Sequence, residues 1–238
     1  MSRRSFFVAV GIVALLSGGL ATALVLLLRY EPDYYRRAMT TPGERRTKLS
    51  QEFLSEFSEF WSALSGDREW YARFSDEQIN SYLEEAFRQC GLAEKLLPDR
   101  ICEPRVIFEQ DRMRLAFRYR GRLINPVVSV SLRIWLPNNE TNVLALQLEG
   151  INAGMVPFTA QWLLEHISET ARQNGIEVQW YRHQGHPVAL LRFQADQARP
   201  TIQFKGVQFE NGAITLHGRS AESRAALPPL PRALALRK

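Results

Sequence analysis

"RMRLAFRYRGRLINPVVSVSLRIWLPNNETNVLALQLEG", residues 112–150, decides the fold through its period. Met113, Leu115, Phe117 and Tyr119 alternate with Arg112, Arg114, Ala116, Arg118 and Arg120. Past Pro126, Val128, Val130, Leu132, Ile134 and Leu136 alternate with Ser129, Ser131, Arg133 and Trp135. Successive side chains of a strand point to opposite faces, so this alternation writes one apolar and one polar face. "PNNET", residues 137–141, supplies a turn, and Leu144, Leu146 and Leu148 resume the pattern. With residues 105–109 the segment predicts a four-stranded antiparallel meander.

Two helical patterns precede it. Leu49, Phe53, Phe57, Phe60 and Leu64 recur at helical spacing, while Glu52, Ser55, Glu56 and Glu59 occupy the far side. That acidic face favours packing on a sheet over lying on an anionic lipid surface. In "FSDEQINSYLEEAFRQCG", residues 74–91, Ser75 and Gln78 have the spacing of a capping box, and Gly91 is the natural stop. After the meander, residues 157–174 read as a helix with Ala160, Leu163, Leu164, Ile167 and Ala171 on one stripe. Strands are predicted at 177–182, 187–194, 201–210 and 213–218, the last two joined by the hairpin pair Asn211-Gly212. Strands grouped with strands define an α+β class. Helix-plus-meander units are expected to form a curved antiparallel sheet packed on helices.

The chain opens differently. Phe6 to Leu28 holds no charged residue. As a helix, that run is about 34 Å long, enough to cross a bilayer. Ala21-Thr22-Ala23 has the form of a cleavage site, but five large apolar residues follow at once, which favours an uncleaved signal anchor. Arg3 and Arg4 precede the run; Arg29, Arg36 and Arg37 follow it. A long downstream segment translocates with little regard for charge, so the bulk of the chain is expected outside the cytoplasm. The start "SRRSFF" also resembles a twin-arginine export signal, although paired arginines before an anchor arise without that route. The expected organisation is a cytoplasmic tail (1–5), a transmembrane anchor (6–28) and a polar juxtamembrane linker (29–47) in which Tyr34 and Tyr35 sit at the bilayer interface. An extracytoplasmic α+β domain (48–220) and a loose, proline-rich basic tail (221–238) follow. Gly18 and Gly19 would let another membrane helix approach closely.

Composition excludes little. The 238 residues are 45% hydrophobic and 23% charged with a net charge of +5, ordinary for a globular chain. The two cysteines, Cys90 and Cys102, fit no zinc spacing; either one bridge outside the cytoplasm or two separate thiols satisfies the sequence. His183 and His186 form an H-x-x-H pair in a Gly/Pro loop, short of a metal ligand set. There is no nucleophile elbow, P-loop, zincin or dinucleotide motif. The sequence therefore points away from an enzyme and predicts no cofactor and no metal. Arg112, Arg114, Arg118, Arg120 and Arg122 are expected along one strand face. They would meet either an anionic partner or glutamates on neighbouring strands. Aromatic interleaving on that face is missing, so nucleic acid is not expected.

"FSDEQINSYL" (residues 74–83) and "LEGINAGMVPFTAQWLLEHI" (residues 148–167), behind one N-terminal anchor, resemble the YpmS-like family of anchored bacterial envelope proteins. Phe74, Ser75, Ile79 and Asn80 match its helix start, and Gly154 and Pro157 its later step into a helix. The resemblance implies a domain outside the inner membrane with a fold like that of lipid-binding proteins, and brings no catalytic residues. The expected function is an anchored envelope protein that binds a lipid or apolar ligand, or scaffolds envelope assembly. An accessory subunit of a membrane complex and an extracytoplasmic enzyme are the alternatives. The expected groove is lined by Phe117, Leu132, Leu146, Leu164 and Phe204.

Overall fold

The computed structural model describes residues 3–64, 66, 68–89, 100–137, 140, 142–158, 164–165, 168–169, 172–173, 176–192 and 202–220, with residues 3–14 and 89 as backbone. Helix α1 (Arg3–Arg29) leads into the short α2 (Asp33–Arg37) and the long α3 (Glu44–Leu64). Strand β1 (Arg68–Ser75) runs straight into α4 (Asp76–Glu84), which breaks at Glu85 before α5 (Ala86–Gln89). Then come β2 (Ile101–Glu109), β3 (Arg112–Tyr119), β4 (Val127–Trp135), β5 (Val143–Ala153) and the two-residue β6 (Val156–Pro157). Strands β7 (Glu177–His183), β8 (His186–Arg192), β9 (Ile202–Glu210) and β10 (Ala213–Ser220) complete the order. The class is α+β, with antiparallel sheets packed against helices.

Instead of one curved sheet there are two. The larger runs β2-β3-β4-β5-β8-β7 with β6 beside β5, and a smaller one runs β1-β10-β9. The expected meander is its first four strands. Besides the two-residue β6, the strand absent from the sequence reading is β1, in which Trp70, Ala72 and Phe74 are buried and alternate with exposed neighbours. It pairs with β10 over its whole length, Arg68 opposite Ser220 and Ser75 opposite Ala213.

The aromatic stripe of α3 covers this small sheet. Phe53 lies 5.6 Å from Phe74, edge on, and 5.0 Å from Tyr82 of α4. Phe60 meets Trp70 at 5.3 Å, and Trp70 meets Phe204 of β9 at the same distance. Edge-on rings bring positive rims to negative faces, adding about 1 kcal/mol per pair to simple burial. The α4 N-terminus is capped as its sequence predicts: Ser75 Oγ accepts the Gln78 N–H at 3.1 Å, and the Ser75 N–H reaches Gln78 Oε1 at 3.0 Å.

Strand β2 is an edge of the large sheet, and two elements seal it. Asn80 of α4 donates to the Val106 carbonyl at 2.7 Å and accepts the Val106 N–H at 2.8 Å, so its amide acts as one rung of a missing strand. The β9–β10 turn adds the Gly212 N–H to the Phe108 carbonyl at 3.0 Å. Gly212 takes the positive φ of that turn, while the β7–β8 turn puts both Gln184 and Gly185 at positive φ, the type I′ pattern. His183 and His186 flank that turn directly opposite each other.

The segment after α1 turns its two tyrosines into the domain and not toward a bilayer interface. Tyr35 is fully buried beside Ala116 and Val127, and its hydroxyl donates to the Glu103 carbonyl at 2.9 Å. Tyr34 donates to Ser129 Oγ at 2.9 Å. Its tyrosines close the polar face of the large sheet because Ala116 and Ser129 leave room for two rings. Pro157, expected to open a helix, instead pairs with Asn152 as part of β6. Residues 164–165, 168–169 and 172–173 are helical, and the rest of that expected helix lies outside the described residues. So do Cys90, the expected stop at Gly91 and the expected tail at 221–238. Among the described residues no helix is long and apolar enough to cross a membrane; for α1, the described side chains cover residues 15–29.

Candidate functional site

An apolar slot of about 200 Å³ opens where the small sheet crosses the large one. Ile134, Leu136, Val143 and Leu144 form one wall and Phe204, Val207, Phe209, Ile214 and Leu216 the other. A bulge builds the second wall. His217 pairs with Gly206 but Gly218 pairs with Phe204, so Lys205 is skipped and the parity of β9 reverses there. Phe204 and Phe209, on opposite faces of an unbroken strand, thereby line the same slot.

Asn142 is the polar residue among the described slot linings. It is 4% exposed and sits at φ 58°, in the left-handed region where asparagine is better tolerated than most residues. Its amide donates to the Ile202 carbonyl and accepts the Phe204 N–H at 3.1 Å. The side chain is spent on the edge of β9, tying the sheets together and leaving the slot without a polar handle. An apolar pocket of this size takes an acyl chain end or a ring far better than a polar group; a 150 Å³ apolar cavity already admits benzene.

Of the five residues expected to line a groove, Leu132, Leu146 and Leu164 belong to one cluster with Val130, Leu148 and Ile151. Phe204 lines the slot, and Ile134 belongs to both cluster and slot. Phe117 is half-buried on β3 opposite Val128. A second bulge explains why the cluster holds both Leu148 and Ile151. Ser131 pairs with Gly150 but Leu132 with Leu148, which skips Glu149 and sends it to the polar face.

The expected arginine row is shorter than its period implied. Strand β3 ends at Tyr119, so exposed Arg120 and Arg122 fall in the following loop and do not continue the face. The remaining three are engaged. Arg112 reaches Glu149 at 3.5 Å, and Arg114 reaches Glu109 at 3.2 Å with its guanidinium 4.1 Å above the Tyr34 ring. Arg118 bridges Glu31 at 3.1 Å and Glu103 at 3.2 Å. Glutamates pair with all three, and the rings of Tyr34 and Tyr35 lie against Arg114 and Arg118. Burial, reinforced by Glu103, drives the Tyr35 hydroxyl far above its ordinary pKa and keeps it a neutral donor.

A larger cavity of about 770 Å³ lies between residues 37–46 and the start of α4, but Arg45 and Glu77 pair across it at 2.8 Å. Asp76, on its wall, is pushed above the usual carboxylate range by burial. Among the described residues no three His, Cys, Asp or Glu side chains converge as a metal site would require. Cys102 Sγ lies 3.2 Å from the Arg118 carbonyl oxygen, within reach to donate to it; its expected bridge to Cys90 lies outside the described residues. No family model, no curated protein and no solved structure matches the chain.

Proposed function

We propose that the protein is a membrane-anchored envelope protein whose folded domain, outside the cytoplasm, binds a lipid acyl chain or a similar apolar ligand without catalysing a reaction. The slot between the sheets carries this reading: it is large enough for part of a chain, apolar on both walls, and closed to polar ligands by the engagement of Asn142. The anchor is α1. It is 27 residues long, its sequence is uncharged from Phe6 to Leu28, and Leu15, Leu16, Leu20 and Leu26 stand open on its surface. The resemblance to the YpmS-like family is part of the same proposal.

Filling the slot tests the reading. The full-length protein in nanodiscs is titrated with 11-dansylamino-undecanoic acid, and the same is done with Val207→Trp. We expect saturable binding that weakens at least tenfold in the filled variant while its melting temperature holds. Equal binding by both proteins, or none by either, rejects the slot as a ligand site. The second reading, an accessory subunit, draws on Gly18 and Gly19 of α1, where an added Cβ would meet nothing. Cross-linking from those positions in intact membranes would capture a neighbouring helix.

A further inference from the structure

The end of α1 is fixed to one end of the large sheet. The Met155 N–H donates to the Leu27 carbonyl at 3.0 Å, and Gly154, at φ +60°, lies so close that a Cβ would overlap the Leu27 oxygen. The Gly154 N–H in turn donates to the Val127 carbonyl at 2.8 Å. Thus the β5–β6 turn, the start of β4 and the exit of α1 form one junction. The β3–β4 loop, residues 120–126, ends at that same point.

This end of the sheet exposes what a soluble surface ordinarily hides. Leu123 is 90% exposed, Met155 57%, Phe158 51% and Tyr30 43%. Scattered single apolar residues need no explanation, but four on loops around one helix exit do. Exposed arginines surround them: Arg29 at the end of α1, Arg120 and Arg122 in the loop, and Arg100, whose carbonyl accepts the Arg120 N–H at 2.7 Å. The acidic groups nearby, Glu31 and Glu103, share Arg118 between them, so they leave one negative charge against the four exposed arginines and the rim stays positive.

We infer that this rim docks onto the outer surface of the bilayer that holds α1. Leu123, Met155 and Phe158 enter the headgroup–acyl boundary, and Arg29, Arg100, Arg120 and Arg122 contact anionic headgroups. The inference rests on the reading of α1 as a span. It goes further by assigning a second, peripheral contact that fixes the domain's tilt. The occupant follows from continuity, since the rim surrounds the helix that would enter the membrane, and from charge. Docking in this pose sets the domain against the membrane, with the β3–β4 loop lowest.

The test uses the full chain in nanodiscs of phosphatidylcholine with or without added phosphatidylglycerol. Dansylalanine is encoded at position 20, 71 or 123, and quenching by doxyl-labelled lipid is read. Position 20 reports the span, position 123 the docked rim, and position 71, on the exposed Tyr71 of the small sheet, a contrast. We expect quenching at 20 and 123 and none at 71. Phosphatidylglycerol should strengthen quenching at 123, and Arg120→Glu/Arg122→Glu should remove that gain, by about fivefold in docked population per arginine, the equivalent of about 1 kcal/mol. Quenching at 20 with 123 as unquenched as 71 overturns the docking and leaves the span standing. An unquenched position 20 overturns the span, and the docking with it.

Discussion

Asp76 shows how far a side chain's surroundings can outweigh its local sequence. It holds the first position of α4, where the helix dipole favours a carboxylate, yet burial raises its pKa. Only the Phe108 N–H, at a long 3.5 Å, and the neighbouring Glu77 N–H offset that burial. The sign follows from linkage. A carboxyl whose folded pKa exceeds its unfolded value binds protons more tightly in the native state. Its contribution to stability is therefore present at low pH and is lost as pH climbs from the ordinary aspartate range through the raised value. Asp76→Asn keeps an acceptor for Phe108 and cannot ionise. Urea unfolding at several pH values between 4 and 7 should show the variant gaining on the parent as pH rises; parallel curves would refute it. Glu84 instead has a charged partner: it meets Arg105, 4% exposed, so each charge is set against the other.

At the scale of elements, the sequence was most legible where one period ran unbroken. Strands β2 to β5, the stripe of α3 and the capping box of α4 appear close to where alternation and spacing put them. The small sheet was not legible as a unit. Strand β1 carries a clear alternation at Trp70, Ala72 and Phe74, but it is squeezed between two helical patterns. Its partner β10 lies far along the chain: Trp70 Nε1 donates to Ser220 Oγ at 3.1 Å across 150 positions. Periodicity reports a strand's faces and says nothing about which strand sits beside it. The slot was half legible for a related reason: the skipped residues Glu149 and Lys205 reverse parity, so a strict two-residue count assigns their neighbours to the wrong face. The row of five arginines failed through the same rigid counting, which ran on past the end of β3. Gly218 tests the sheet's closeness. A Cβ there would overlap both the Gln203 carbonyl oxygen and the Trp70 indole ring. Gly218→Ala should cost about 3 kcal/mol, read by chemical denaturation, because backbone and a buried indole must both give way. A cost below about 0.5 kcal/mol, typical of a surface change, would show that the strands and indole of the small sheet have room to give at this point.

Across the whole molecule, the contacts that matter are those that make α1 and the domain one body. A helix joined to a domain by a flexible linker would let the domain tumble. Here the chain leaves α1 at Arg29, turns through the buried Pro32, and within six residues plants Tyr35 in the domain core. The Leu27 carbonyl, in the last turn of α1 where the helix itself supplies no i+4 donor, is met by the β5–β6 turn through the Met155 N–H. That arrangement demands a residue without a side chain and with a positive φ at position 154, and glycine supplies both. Gly154→Ala should push the turn off the helix end while leaving the two sheets intact. The observable is amide exchange. Met155 should exchange at least tenfold faster in the variant, the equivalent of losing about 1.4 kcal/mol of local protection. Val130, in the middle of β4, should keep its rate. If both amides accelerate together, the junction and the sheet open as one unit and the helix end is part of the domain's cooperative core. If neither changes, α1 is held through Tyr34 and Tyr35 alone, and the turn contributes nothing to holding the domain against it.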